Sequence, residues 1–314
     1  MNERHSSIAV REGDIHWVEI GKGRPLVLLH GLADSHRTWS RVAHFLARDR
    51  CVLMPDLLGH GLSSRPRGSY TVEWHAAAIE EWMDALQLID VDMVGHSYGG
   101  GIAQFLSLKG KKRNSVRRLG LISPGGIGQE VAATIRMVAA INLLEKLGDS
   151  ALGIGTIWAS KWLKCPLTKE EKSFVRWMNS MPGSAAAVSR TIKGVVNWRG
   201  QTKSLWNQLH QATQCPPLIV FWGEKDPIVP FHHAVELVKQ VPGVSLVRFP
   251  DCGHHPHKEY PELFVGSLSR FLRAQKLSPV VVVPKSIVSH NKWLRWSRGE
   301  RRNLEQHSLL QFSS

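Results

Sequence analysis

Residues 95 to 99 read Gly-His-Ser-Tyr-Gly, set between a short β-compatible run, Val91 to Val94, and a helix-length run of small and apolar residues, Gly100 to Leu108. A chain that passes from strand to helix within so few residues has little freedom there. Small residues let the backbone turn tightly, and the serine at the apex projects its hydroxyl out of the sheet. The helix that follows aims its N-terminal N–H groups at the same spot. Alone the pentapeptide is a weak signal. Between a strand and a helix it makes Ser97 a candidate nucleophile.

The flanking sequence continues that alternation. Ile8 to Val10 and Ile15 to Ile20, split by Glu12-Gly13-Asp14, predict a β-hairpin. Pro25 to His30 and Cys51 to Pro55 are continuous apolar runs, as expected of strands covered on both faces of a parallel sheet. A helix-like stretch from Trp39 to Leu46 lies between them, and Val72 to Leu86 carries apolar residues at helical spacing. Leu119 to Ser123, Pro217 to Trp222 and Ser245 to Phe249 read as strands, and His232 to Val241 and Pro261 to Arg273 as helices. From Pro124 to Thr213 the alternation stops and the sequence reads helical throughout, with Ile135, Val138, Ile141 and Leu144 on one stripe. The expected fold class is therefore α/β, a mostly parallel sheet flanked by helices. The map is an α/β core at 1–123 and 214–275, a helical cap at 124–213, and a basic, disordered tail at 276–314.

The formal charge of +14 is unevenly placed. The cap stretch holds eleven Lys and Arg against five Asp and Glu, and the stretch after Gln275 holds seven against two. A basic field favours anionic partners without choosing among them. The expectation is solvated surface, with at most a weak contact between the tail and anionic membranes and no nucleic-acid partner. No run approaches the length of a membrane-spanning helix, Val280 to Val283 being only four residues. Met1 to Ser7 is polar and unlike a signal peptide. Cys51, Cys165, Cys215 and Cys252 are scattered without a C-x-x-C pair, which predicts free thiols in a reducing compartment, the cytoplasm.

A serine hydroxyl needs a base to take its proton, and the base needs a group to fix its tautomer and orientation. His254 lies in Asp251-Cys252-Gly253-His254-His255-Pro256, after the last predicted strand, and Asp226 in Gly223-Glu224-Lys225-Asp226-Pro227, after an earlier one. Loops that follow the strands of a parallel sheet open at one edge, where ligands bind. Ser97, Asp226 and His254 can therefore meet. Glu224 is the alternative orienter, and Asp251 reads as a solvated strand-end residue. His255 and His257 crowd His254 but lack the carboxylate or cysteine spacing of a zinc site, so no metal is expected. Trp158, Trp162, Trp177, Trp198 and Trp206 are expected to pack a helical layer, the alternative being the lining of an acyl pocket.

Five segments carry a resemblance. His30-Gly31-Leu32, Asp56-Leu57-Leu58-Gly59-His60-Gly61-Leu62-Ser63, the turn Gly95 to Gly100, Gly223 to Pro230, and Gly253-His254 followed by Glu259-Tyr260-Pro261 occur in order. Across Ile8 to Gln275 the chain resembles the α/β-hydrolase fold family, in its serine-nucleophile, esterase- and lipase-like branch. The resemblance implies Ser97 as nucleophile, His254 as general base and then acid, and Asp226 as its orienter. It also implies an oxyanion hole from the backbone N–H groups of Leu32 and Tyr98, with the cap as a lid and no cofactor. The implied activity is hydrolysis of a carboxylic ester or thioester with an apolar acyl group through an acyl-enzyme. Serine at position 97 argues against haloalkane dehalogenases and epoxide hydrolases, relatives with aspartate there. Ser123-Pro124-Gly125-Gly126 is similar to a segment of meta-cleavage-product C–C hydrolases, the enzymatic alternative. Against it, the turn after Gly31 lacks that group's glycine-proline extension, and His255 stands where tryptophan follows its histidine. A ligand receptor of slow or no turnover on the same fold is the third reading.

Overall fold

The computed structural model describes residues 2–110, 115–141, 143–162, 165, 167–203, 215–274 and 281–282. Strands β1 (Arg4–Val10) and β2 (Gly13–Gly21) form the expected antiparallel hairpin. Then come β3 (Arg24–Leu29), a 3₁₀ turn at His36–Trp39, α1 (Ala43–Leu46) and β4 (Arg50–Pro55). Helix α2 (Val72–Ala85) starts on Thr71, whose hydroxyl accepts from the Trp74 N–H, and buries Val72, Ala76, Ile79, Trp82 and Met83. Strand β5 (Val91–His96), helix α3 (Tyr98–Leu108) and strand β6 (Val116–Ile122) follow.

Beyond β6 lie α4 (Ala133–Ile141), α5 (Leu143–Trp162), α6 (Lys169–Asn179) and α7 (Ser184–Val195). The helical expectation for this stretch needs one correction: β7 (Val196–Asn197) and β8 (Gly200–Gln201) form a small antiparallel hairpin. The cap has its own apolar cluster, in which Leu152, Ala185, Val188, Ile192 and Val196 are buried. At its base, Gln201 joins the entering and leaving chain. Its N–H donates to the Gln129 carbonyl (2.7 Å) and its Oε1 accepts from the Gly126 N–H (2.8 Å). Its Nε2 donates to the carbonyls of Gly128 (2.9 Å) and Glu130 (3.1 Å).

The chain then returns through β9 (Leu218–Gly223), α8 (His232–Gln240), β10 (Ser245–Phe249), α9 (Pro256–Glu259), α10 (Pro261–Arg273) and β11 (Val281–Val282). The main sheet runs β1-β2-β4-β3-β5-β6-β9-β10-β11, antiparallel at β1–β2 and β2–β4 and parallel from β4 onward. Every residue of β5 and β9 is buried, which explains their lack of alternation. Val281–Val282 falls in the expected tail, yet pairs with Val247 and Arg248 as the last strand. The expected disorder of 283–314 lies outside the described residues, as does Trp206. Among the described residues no helix is long and apolar enough to cross a membrane.

One buried carboxylate ties several of these elements together. Asp56, at the end of β4, accepts from the N–H groups of His36 (2.6 Å) and Leu62 (2.9 Å) and from Nδ1 of His16 (3.0 Å) and His36 (2.9 Å). Burial opposes its ionisation, but these donors win and hold the carboxyl far below the usual range. Asp56 thereby fixes the loop that carries Gly59 to Ser63 beneath the cap.

Candidate active site

Ser97 sits between β5 and α3 with φ 52° and ψ −114°, a conformation that costs a residue with a Cβ. Three hydrogen bonds hold it there. Its N–H donates to the Ile122 carbonyl (2.9 Å), and its own carbonyl accepts from Gly101 (3.2 Å) and Gly125 (3.0 Å). The surrounding glycines are required by close approach: a Cβ on Gly95 would collide with the Gly99 carbonyl, and one on Gly99 with the carbonyls of His30 and Leu29. The Tyr98 side chain is buried, its hydroxyl 2.8 Å from His75 Nδ1 and 3.2 Å from the Tyr70 carbonyl.

His254 and Asp226 come from the loops after β10 and β9. His254 Nδ1 lies 2.7 Å from Asp226 Oδ2, and neither side chain is more than 3% exposed. The other carboxylate oxygen of Asp226 accepts from the N–H groups of Ile228 (2.8 Å) and Val229 (3.0 Å). An ionised carboxylate only accepts, so Nδ1 carries the proton and Nε2 keeps its lone pair. Glu224, the alternative orienter, turns instead to Arg248 at 2.7 and 2.9 Å. Asp251 pairs with Lys225 at 2.6 Å at the surface.

Ser97, His254, Leu32 and Tyr98 all line one cavity of about 470 Å³. Its walls are largely apolar and come from both cap and core, with Ile135, Val138, Leu152 and Val188 from the cap and Phe105 and Ile228 from the core among them. Such a chamber suits an apolar group attached to whatever reacts at Ser97. The exposed tryptophans Trp158, Trp162, Trp177 and Trp198 neither line this cavity nor pack a core, which corrects both expectations for them.

Part of the cavity lining is polar in a way the motifs did not announce. Lys258 is buried and its ammonium lies 3.3 Å from Asp34 Oδ2, and His96 and His255 line the same cavity. Burial works against both charges, but each holds the other: the Lys258 pKa ends above the ordinary lysine value and that of Asp34 below the usual carboxylate range. His96 Nε2 donates to the His254 carbonyl (3.0 Å), which leaves Nδ1 as a buried acceptor without a partner. Burial pushes His96, His255 and His257 well below the ordinary histidine pKa, so these rings are neutral near pH 7. His257 faces Thr38 Oγ1 at 3.1 Å and packs on Trp39.

Among the described residues three groups have ligand atoms within 4.8 Å of one another, His16-His36-Asp56, Glu130-His232-His233 and, at the cavity, Asp34-His96-His255; His254, His255 and His257 do not form one. The Lys258 ammonium already takes the Asp34 carboxylate, so the set at the cavity suits a cation poorly.

Residues 24–261 match the family model of the α/β hydrolase fold. The chain belongs to the α/β-hydrolase family. This hydrolase is 30% identical over 267 residues to an uncharacterized protein of Mycobacterium tuberculosis, across 80% of this chain and 76% of that one. It is 28% identical over 268 residues to a 2-hydroxymuconate semialdehyde hydrolase of Pseudomonas sp., across 80% and 88% of the two chains. Among solved structures, the enol-lactonase of Burkholderia xenovorans superposes with a TM-score of 0.71 at 19% identity, covering 86% of this chain and all of that one (100%). At that identity the likeness is one of fold.

Proposed function

We propose that this α/β-hydrolase is a serine hydrolase that cleaves carboxylic esters or thioesters through an acyl-enzyme on Ser97. The observation that carries the reading is the 2.7 Å contact between His254 Nδ1 and Asp226, with His254 and the strained Ser97 open to one apolar cavity. In this reading His254 Nε2 takes the Ser97 proton as Oγ attacks the carbonyl carbon. The N–H groups of Leu32 and Tyr98 stabilise the resulting oxyanion. His254 then protonates the leaving alcohol or thiol, and the carbonyl re-forms as acyl-Ser97. Water, deprotonated by His254, attacks that ester and releases the acid and free Ser97. Asp226 stays ionised and stabilises the imidazolium at each stage. The apolar walls hold the acyl chain, and the free thiols Cys51, Cys165, Cys215 and Cys252 support a cytoplasmic setting.

C–C hydrolysis of a meta-cleavage product is the second reading. The relative from Pseudomonas sp. bears the name of such an enzyme, and Ser123-Pro124-Gly125-Gly126 resembles a segment of that group. Aryl esters of graded acyl length, assayed beside a vinylogous meta-cleavage dienoate, separate the possibilities. Turnover of esters with slower or no cleavage of the dienoate is expected. The reverse ranking would move the function to C–C hydrolysis, and stoichiometric binding without turnover of either would leave a receptor.

A further inference from the structure

We propose that the outer face of the cap docks on an anionic lipid surface. Helix α5 turns one face to the cavity and another, apolar one outward. Leu152, Thr156 and Ser160 face the cavity, whereas Ile154, Trp158 and Trp162 point elsewhere and are 46%, 70% and 60% exposed. Trp177, on α6 packed against α5, is 51% exposed. Large side chains left in water at that density mark an interaction surface. Core packing does not explain them, since it is Trp39, Trp82 and Trp222 that are fully buried.

Tryptophan combines an apolar ring with a polar N–H and settles where hydrocarbon meets headgroups. Lys161 stands over the Trp158 ring at 5.5 Å, and Lys169 and Arg176 are exposed on α6. The cap as a whole has eleven basic residues against five acidic ones. That charge selects the occupant. A second copy of the chain would bring one basic cap against another, whereas phosphate headgroups complement it. Gly155 and Ala159 are exposed and also line the cavity, so its edge reaches the surface beside the tryptophans. An acyl amphiphile can therefore pass from the lipid layer to Ser97. The docking stands apart from the reaction proposed above and is tested without it.

The full chain is sedimented with vesicles of phosphatidylcholine alone and of phosphatidylcholine mixed with phosphatidylglycerol, with tryptophan emission and light-scattering mass measured alongside. Binding to the phosphatidylglycerol vesicles is expected, with a blue-shifted emission and weakening in salt. The double variant W158S/W162S, changed only at exposed positions, should bind about ten-fold or more weakly. Its unfolding temperature should be unchanged, and W293S/W296S in the tail should bind like the parent. Each of these results overturns the proposal: unchanged binding by W158S/W162S, equal binding to neutral vesicles, or loss confined to W293S/W296S, which would place the contact in the tail. A parent dimer made monomeric by W158S/W162S would likewise overturn it in favour of a second copy.

Discussion

Ser97 occupies a backbone conformation that costs a non-glycine residue about 1–3 kcal/mol, so the fold stores strain at the atom proposed to react. Glycine relieves it. Ser97→Gly should raise the unfolding free energy by about 1 kcal/mol relative to Ser97→Ala, while both variants lose covalent labelling by a phosphonate probe and hydrolysis. A lower stability for the glycine variant, measured by urea unfolding, would mean the turn is not strained. At the acid position, Asp226→Asn should cut kcat by up to about 10⁴, because an amide cannot hold the Nδ1–H tautomer. Glu224→Gln, whose parent carboxylate serves Arg248, should change kcat by less than about three-fold, as surface pairs contribute little. Steady-state kinetics on one chromogenic ester ranks the two. Ser97, Asp226 and His254 were legible because each follows a strand in a loop with its own local pattern. Lys258 and Asp34 were not, since their pairing depends on residues 224 apart in sequence meeting in the cavity wall.

At the scale of elements, the cap and the core share the cavity walls, and the groups proposed to react belong to the sheet edge. Val188, buried on α7, faces the cavity. Val188→Phe should shorten the chamber and lower kcat/KM for long acyl esters by roughly ten-fold or more relative to short ones. Equal losses for both would show that Val188 does not bound the acyl group. The cap's helices were readable from Ile135, Val138 and Leu144, whose periodic stripe packs against the cap cluster. Its hairpin was not, because two-residue strands such as Val196–Asn197 are too short to show alternation. Exposure was equally hidden: periodicity says that Trp158 and Trp162 share a face, not that the face meets water.

For the molecule as a whole, histidine burial sets the acid limit. Burial depresses the pKa of His30, His60, His75, His96, His255 and His257, that of His75 to about 4. As pH falls below about 6.5 the unfolded chain protonates these rings while the folded chain leaves them neutral. The unfolded state then binds more protons, so stability falls with pH, by at most about 1.4 kcal/mol per pH unit for each ring. Asp34 and Asp56, with depressed pKa values, keep their contribution until pH drops below the ordinary carboxylate range. Urea unfolding at pH 7.5 and 5.5 should show a clear loss at the lower value, and a flat or rising profile would refute it. The closure at Gln201 carries a different consequence. Because Gln201 is bonded to Gly126, Gly128 and Glu130, the helices between these two stretches form a cassette closed at its base. Another set grafted onto the same closure has to remake only the few bonds by which the cap rests on the core, such as those from Asn179 to the Ala33 carbonyl and from Arg65 to Ser184 and the Met178 carbonyl. Selection can then rewrite what the chamber admits through the cap's share of its walls.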